Sequence, residues 1–221
     1  MTKNPNHNNL PCALLTGFEP FGGDVINPSW LAVHALHGEV IAGHNVRAAQ
    51  LPTAFSASKA AIAKLLRTHR PAVVICVGLA GGRSGLSLER IAINVQDARI
   101  ADNAGVQPID VPVVKSGPAA YFTTLPIKAM RQALTDSGIN AEVSQTAGTF
   151  VCNHVFYAAM HALKKQKRAT KARGGLIHVP YLPSQGIPCM PLVDMVQGLR
   201  VALACALTTK QDAVAGAGTV S

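Results

Sequence analysis

The stretch "PAVVICVG", residues 71–78, is the part of the sequence that most directly indicates the fold. It is apolar without interruption and rich in β-branched residues. This pattern is typical of a central strand in a parallel sheet that helices cover on both faces. Two other apolar runs, "CALLTG" (12–17) and "GGLIHVP" (174–180), predict further buried strands.

Helical patterns separate the predicted strands along the chain. Asn27 can cap a helix over 27–38, and Pro28 suits its first turn. The remaining helices are predicted at 54–70, 125–138, 151–165 and 191–208, and the remaining strands at 45–51, 90–95 and 141–145. Repeated strand–helix units predict an α/β fold with a mostly parallel sheet and helices on both faces.

The ends of the chain differ from its centre in composition. We expect one domain over 11–208, with a disordered N-terminal extension (1–10) and a frayed C-terminal tail (209–221). The N-terminus has no apolar segment typical of a signal peptide. The most apolar late segment, 201–209, is far shorter than the roughly 20 residues of a membrane span. We therefore expect a cytoplasmic protein without a membrane partner.

The charge and the cysteines exclude several function classes. The formal net charge is +9, and the run at 164–173 carries six of the basic side chains. No aromatic residue is interleaved there, so a helix end with a solvated loop explains the run better than a nucleic-acid footprint. The five cysteines include no CxxC pair and are odd in number, which argues against a disulfide framework or a zinc ribbon.

One cysteine lies where a helix is predicted to begin. In "TAGTFVCNHVFYAAM" (146–160), Cys152 follows a Gly-containing stretch and precedes a helical apolar pattern. A helix N-terminus favours a thiolate, which is the reactive form of cysteine. Other cysteines lie in apolar runs, where a small core residue is the simpler interpretation. From the residues alone, Cys152 is either structural or a nucleophile.

Two residues could complete a catalytic set with this cysteine. His178 lies near the end of a predicted buried strand, either as a satisfied core histidine or pointing into a site. Glu89 lies close to the end of a central strand, where it could orient an imidazole. Its alternative role is a salt bridge to one of three arginines, namely Arg83, Arg90 or Arg99. The glycine-rich stretches 17–23 and 78–85 lack phosphate-loop spacing.

Four stretches together resemble pyroglutamyl peptidase type I: "LLTGFEPFGG…NPSW", "VGLAGGR…ERIAINVQDARIADN", "TAGTFVCNHVFYAAMH" and "GGLIHVPYLP". The resemblance covers residues 12–208. It implies a cytosolic cysteine peptidase that removes N-terminal pyroglutamate from peptides. It also implies a three-layer α/β/α sandwich with a mostly parallel central sheet, assembled as a homotetramer, with no cofactor and no metal.

The same resemblance implies roles for individual residues. Its catalytic triad falls on Cys152, His178 and Glu89. The residues implied to surround the substrate are Phe18, Phe21, Asn27, Thr53, Leu79, Arg99, Ile100, Phe150 and Val151. Leu79 departs from the family, because many bacterial members have a glutamine there, and this puts the substrate contacts in question. For Arg99 the resemblance leaves two roles open, holding the oxyanion or holding the local structure.

Two other function classes remain open from the sequence. Doubly wound sheets with glycine-rich strand ends also bind nucleosides or phosphates, as in phosphorylase-like proteins. The chain could also be a pyroglutamyl-peptide-binding homologue with weakened catalysis. The complete Cys, His and Glu set argues against the second class, whereas Leu79 argues for it.

Overall fold

The computed structural model describes residues 10–166 and 172–218. The predicted N-terminal extension therefore lies outside the described residues except for its last position. The centre of the basic run at 164–173 and the last three residues of the tail also lie outside them.

A central sheet of seven strands forms the middle layer. The strands of the chain are β1 (Cys12–Phe18), β2 (Val40–Ile41), β3 (His44–Leu51), β4 (Val73–Leu79), β5 (Leu86–Glu89), β6 (Ile91–Ile93), β7 (Ala120–Phe122), β8 (Ala141–Ser144) and β9 (Arg173–Val179). The order in the large sheet is β2-β3-β1-β4-β9-β5-β8, and β6 pairs with β7 separately. Strands β3, β1, β4 and β9 are mutually parallel, whereas β2 and β5 run antiparallel to β3 and β9.

Helices cover both faces of this sheet. They are α1 (Pro28–Ala35), α2 (Phe55–His69), α3 (Ile127–Asp136), α4 (Val151–Lys165) and α5 (Leu192–Thr208). One apolar core joins the sheet to α1, α3 and α5, and a second joins it to α2 and α4. The predicted three-layer α/β/α sandwich with a mostly parallel sheet is thus confirmed.

The central strand and the first helix have the local structure that the sequence predicts. All residues of β4 except the last are buried, as expected of a strand covered on both faces. Asn27 is the N-cap of α1, and its side-chain oxygen accepts a hydrogen bond from the backbone N–H of Ser29. Pro28 lies in the first turn, where a missing N–H costs nothing.

The strand predicted over 90–95 is present as β6 at Ile91–Ile93, but it is shorter and lies in the separate sheet. A strand that was not predicted, β5 at Leu86–Glu89, directly follows the glycine-rich stretch 78–85 and belongs to the main sheet. The four residues of β5, Leu-Ser-Leu-Glu, alternate between apolar and polar, but so short a run directly after a glycine-rich stretch is easily interpreted as the rest of a loop. Glu89 is the last residue of β5 and lies beside β9 in the main sheet.

The described part of the C-terminal tail contacts the domain at several points. The Asp212 carboxylate accepts hydrogen bonds from the backbone N–H groups of Lys128 and Ala129 at the start of α3. Helix α3 has Pro126 at its N-cap and no side-chain cap of its own. Further along, the carbonyl oxygen of Ala217 accepts a hydrogen bond from Arg90. Within 10–166 and 172–218, no helix has both the length and the apolar character needed to cross a bilayer.

One buried histidine carries a cost for stability. His154 on α4 is 2% exposed, and neither ring nitrogen has a hydrogen-bond partner in the described part of the chain. Its ring packs edge-on against Phe55 of α2, with centroids 5.4 Å apart. Burial, with the charge of Lys59 adding to it, lowers the pKa of His154 from 6.5 to about 4.

We predict that protonation of His154 destabilises the fold in acid. Since the unfolded imidazole binds its proton near pH 6.5 and the folded one only near pH 4, stability is lost as the pH falls through this window. The loss should reach roughly 3 kcal/mol of unfolding free energy. Urea unfolding between pH 7.5 and pH 4 should show this dependence, and His154→Leu should reduce it. The exposed His34→Leu serves as the control. Identical pH slopes for parent and His154→Leu would contradict the prediction.

Candidate active site

A small apolar cavity opens at the carboxyl ends of β1, β4 and β9. Its volume is about 230 Å³. The predicted site residues that line it are Phe18, Phe21, Asn27, Thr53, Leu79, Phe150, Val151, Cys152 and His178. Ligands of open α/β sheets bind at this end of the strands. The remaining lining residues are Ala80, Arg83, Ala147, Gly148 and Thr149.

Cys152 is the second residue of α4 and reaches the floor of this cavity. The N-cap is Phe150, which has no polar side chain to accept from the first-turn N–H groups. Those N–H groups have no partner within a helix, so they are available to an oxygen of a bound molecule. The predicted position of Cys152 at a helix start is therefore correct.

The Cys152 sulfur and the His178 ring both lie beside Gly78. Gly78 lies on β4 in register with His178 on the adjacent parallel strand β9. A methyl group added to Gly78 would lie 2.7 Å from the Cys152 sulfur and 3.1 Å from His178 Nε2. The thiol and the imidazole thus share the space that the missing side chain leaves open. Such proximity is required of a nucleophile and its base.

The other nitrogen of the imidazole is held by Glu89. His178 Nδ1 lies 2.7 Å from Glu89 Oε1, and the carboxylate is fully buried. Because β5 runs antiparallel to β9, Glu89 at the end of β5 lies beside the strand that carries the histidine. This contact directs Nε2 of the same ring toward the cavity. A carboxylate in this position selects the tautomer that keeps Nε2 free as a base.

Glu89 also forms the salt bridge that the sequence left as its alternative role. Arg83 Nη1 lies 2.8 Å from the same Oε1 atom. Of the three arginines considered, Arg83 is the partner, whereas Arg90 donates from Nε to Gln145 Oε1 at 2.8 Å. The sequence leaves the contact with His178 and the salt bridge as alternatives, but in the structure Glu89 Oε1 makes both. Sequence reasoning noticed Arg83 only as a competitor of His178.

Burial and the helix start have opposite effects on the pKa of Cys152. Desolvation and the negative charge of Glu89 raise the pKa of Cys152 to about 12, while Arg83 and the backbone N–H of Cys152 itself lower it less. The thiol therefore keeps its proton at neutral pH when the imidazole is neutral. The helix start by itself does not keep the sulfur deprotonated. A base must take the proton, and His178 is the base in reach.

Aromatic rings form the wall of the cavity opposite the polar groups. Phe21 and Phe150 have centroids 6.0 Å apart, and Phe55 packs edge-on against Phe150 from behind at 5.4 Å. Aromatic rings in contact prefer defined mutual orientations. The wall is therefore a fixed apolar surface, suited to one small ring.

A second hydrogen-bond network lies beside the cavity and includes two of its lining residues, Asn27 and Thr53. The carbonyl oxygen of Glu19 accepts hydrogen bonds from Thr53 Oγ1 at 2.9 Å and Asn27 Nδ2 at 3.1 Å. The Glu19 carboxylate accepts from the Thr53 N–H and from Asn103. Sequence reasoning missed Glu19, although an acidic residue within the otherwise apolar "GFEPFGG" is a detectable signal. Asn27 and Thr53 are thus engaged by the protein itself.

Two predicted pocket residues lie outside the cavity. Arg99 and Ile100 line an adjoining space of about 330 Å³ that shares Phe21, Thr149 and Phe150 with it. Both side chains are exposed. Direct contact of Arg99 or Ile100 with a molecule in the main cavity remains a prediction. Among the described residues, no group of three His, Cys, Asp or Glu side chains could hold a metal ion.

Comparison with known proteins adds independent findings. The family model described as pyroglutamyl peptidase matches residues 12–209. The pyrrolidone-carboxylate peptidase of Cupriavidus taiwanensis is 58% identical over 208 residues, which cover 92% of this chain and 96% of that protein. The protein of the same name from Bacillus thuringiensis is 48% identical over 215 residues, covering 95% and 99%.

Solved structures agree with these sequence matches. The crystal structure of pyroglutamyl peptidase I from Bacillus amyloliquefaciens superposes with a TM-score of 0.90 at 42% identity, over 94% of this chain and all of that one. The pyrrolidone carboxyl peptidase from Thermococcus litoralis superposes with a TM-score of 0.86 at 36% identity, over 90% and 94%. The likeness in both sequence and fold extends over nearly the whole of each protein.

We predict that Gly78→Ala removes the activity of this site while leaving the fold intact. The added methyl group would displace the Cys152 sulfur, the imidazole or both, and a shift of this size can cost about 10²-fold in rate. Turnover is measured beside circular dichroism and the melting temperature. Gly216→Ala in the tail is the control, because a methyl group there meets nothing within 4 Å. Parent-level turnover in Gly78→Ala would show that the sulfur and the imidazole need no such proximity.

Proposed function

Because the chain belongs to the pyroglutamyl peptidase family, we propose that Cys152, His178 and Glu89 carry out its reaction in the cavity described above. The activity is that of a cysteine-type peptidase that releases N-terminal pyroglutamate from peptides. The single observation that supports these residue roles most strongly is that the Cys152 sulfur and His178 Nε2 lie 2.7 Å and 3.1 Å from the same point, the place that a Cβ atom at Gly78 would take.

In the first half of the reaction, the Cys152 proton passes to His178 Nε2 as the sulfur attacks the pyroglutamyl carbonyl carbon. The carbonyl oxygen becomes an oxyanion, which the first-turn N–H groups of α4 stabilise. The imidazolium then gives its proton to the departing amine as the C–N bond breaks. Glu89 stabilises the imidazolium and keeps Nε2 directed at the sulfur.

In the second half, water clears the acyl-enzyme. His178 accepts a proton from the water, whose oxygen attacks the thioester carbon, and the proton returns to the departing sulfur. Free pyroglutamate leaves and the protonated thiol is restored. The raised pKa of Cys152 fits this cycle, since the sulfur is deprotonated only while it reacts.

The binding end of the cavity suits a neutral ring. Pyroglutamate has no charged α-amine, and an apolar pocket accepts it without burying a charge. Phe18, Phe21, Phe150, Val151 and Leu79 would surround the lactam. The side-chain hydrogen bonds of Asn27 and Thr53 to Glu19 make these two residues supports of the pocket wall. The shape of the cavity therefore contributes more to the selection of the substrate than hydrogen bonds from side chains do.

Other properties follow from the family resemblance and the composition. We propose that residues 11–208 form the peptidase domain, and that the protein is a cytoplasmic homotetramer with no nucleic-acid or membrane partner. Free thiols suit a reducing compartment. Arg99, beside the cavity, could hold either the oxyanion or the local structure. The intact catalytic geometry favours an active enzyme over a homologue that only binds.

We predict hydrolysis of a fluorogenic pyroglutamyl amide and no hydrolysis of the matching prolyl amide, whose charged amine the apolar cavity rejects. Cys152→Ser should abolish turnover because it removes the nucleophile. Glu89→Gln should lower kcat by at least about 10²-fold, since the imidazolium loses its counter-charge. Cys189→Ser is the matched control, as this loop cysteine lies outside the cavity. Turnover that survives Cys152→Ser would exclude this nucleophile.

We predict that Leu79→Gln lowers the KM for pyroglutamyl amides. The new amide would add a hydrogen-bonding side chain to a cavity whose Asn27 and Thr53 are already engaged. One neutral hydrogen bond contributes about 0.5–1.5 kcal/mol, so KM should fall by roughly two- to tenfold while kcat changes little. Leu79→Met, of similar volume but without an amide, is the control. An unchanged or raised KM in Leu79→Gln would mean that this position does not contact the lactam.

A further inference from the structure

We propose that Arg83 is a positioning residue of the reaction, which acts through Glu89 to keep the carboxylate charged and so sets the pH range in which His178 can accept the Cys152 proton. This inference rests on the proposed roles of Cys152, His178 and Glu89. It assigns a function to a side chain at the mouth of the cavity that neither attacks the substrate nor exchanges a proton with it.

The first observation is that two donors meet on one carboxylate oxygen. Glu89 Oε1 lies 2.8 Å from Arg83 Nη1 and 2.7 Å from His178 Nδ1. The second oxygen, Oε2, is buried and has no hydrogen-bond partner among residues 10–166 and 172–218. Glu89 is fully buried, whereas the Arg83 side chain is 26% exposed. The guanidinium thus connects a buried charge to the mouth of the cavity.

This arrangement favours the charged form of Glu89. A buried carboxylate loses its hydration and stays charged only where nearby cations and hydrogen bonds compensate for that loss. Arg83 supplies a permanent cation, since a guanidinium does not release its proton in a protein. The His178 Nδ1–H is a second donor to the same oxygen, Oε1. The guanidinium and this N–H are the two contacts that favour the charged form of the carboxylate.

The same cation limits how strongly Glu89 attracts a proton to His178. The described titratable groups facing the imidazole are Glu89 from β5, Arg83 from the loop before it and Cys152 from α4, with Cys76 on β4 behind the thiol. With Arg83 in place, the Glu89–Arg83 pair is neutral, and the imidazole can remain an unprotonated base. Without it, the lone carboxylate would hold the imidazole as a cation to a higher pH.

Arg83 acts on the sulfur in the same direction. Its positive charge lowers the pKa of Cys152, against the larger effects of burial and Glu89. Arg83 Nη2 also makes a longer contact, 3.4 Å, with the carbonyl oxygen of Thr146, in the loop that leads to α4. Removing the guanidinium would therefore raise the pH at which either the thiol or the imidazole loses its proton. Of these two titrations, that of the imidazole moves the acidic limb of the rate profile upward.

Arg90 provides a matched control on the same chain. It follows Glu89 directly in sequence and carries the same charge, but its guanidinium binds Gln145 Oε1 and the Ala217 carbonyl oxygen. It does not line the cavity that contains Cys152. A comparison of Arg83→Met with Arg90→Met therefore separates the contact with Glu89 from a general loss of one positive charge.

The experiment is the pH profile of kcat/KM for a pyroglutamyl amide between pH 5 and pH 10. We expect Arg83→Met to lower kcat more than it raises KM and to move the acidic limb upward by about one pH unit, the shift typical of a charge at this distance. Arg83→Lys, which restores the cation, should return the limb most of the way toward the parent. Arg90→Met should leave it unchanged. If Arg83→Met does not fold, as judged by circular dichroism, Arg83→Gln takes its place with the same expected shift.

Two outcomes would overturn the role of Arg83. In the first, the pH profile of kcat/KM for Arg83→Met or Arg83→Gln, scaled to the same maximum, superposes on that of the parent. Arg83 would then have only a structural role. The other is an equal shift in Arg90→Met, which would make the effect one of net charge. Glu89→Gln and Cys152→Ser are measured in parallel. Loss of turnover in both, with an unshifted Arg83→Met, rejects only Arg83, whereas survival of turnover in Cys152→Ser rejects the proposed catalytic roles.

Discussion

The absence of a side chain at Gly78 is the constraint on which the rest of the site depends. Gly78 ends the buried part of β4 in register with His178, and the open space beside it admits both the Cys152 sulfur and His178 Nε2. Every other catalytic feature requires this contact. The helix start presents the sulfur, and the antiparallel strand β5 brings Glu89 behind the imidazole. Without the space at Gly78, neither arrangement would bring the reacting atoms together.

Two carboxyl groups have different roles around the cavity. Glu89 lies at the chemical end, where it accepts from His178 and Arg83 and bears on proton transfer. Glu19 lies at the binding end, where it accepts from Thr53 and Asn103 and holds three loops together. The first operates through charge next to an ionisable ring. The second operates through neutral hydrogen bonds that leave the apolar wall as the surface a substrate meets.

Local patterns predicted the parts of the fold that depend on neighbours in sequence. The uninterrupted β4, the cap at Asn27 and the position of Cys152 at a helix start are of this kind, because each is decided within a few residues. Strand β5 is not predicted by local pattern, since it has only four residues and directly follows a glycine-rich stretch. The pKa of Cys152 is not predicted either, because burial depends on the packed sheet and not on the helix that carries the thiol. The resemblance identified the catalytic set, but it did not reveal that Glu89 serves His178 and Arg83 at once.

The tail contact at α3 bears on where the folded unit ends. Helix α3 lacks a side-chain cap of its own, and the Asp212 carboxylate supplies one from beyond the last helix. A chain shortened to end at Thr208 would keep every helix and strand yet leave the first turn of α3 with unpaired N–H groups and no anion against its dipole. The boundary of secondary structure and the boundary of stability therefore fall at different residues. A purification tag that replaces the tail directly after α5 would therefore remove the Asp212 cap from α3, whereas a tag placed after the tail would leave the cap in place.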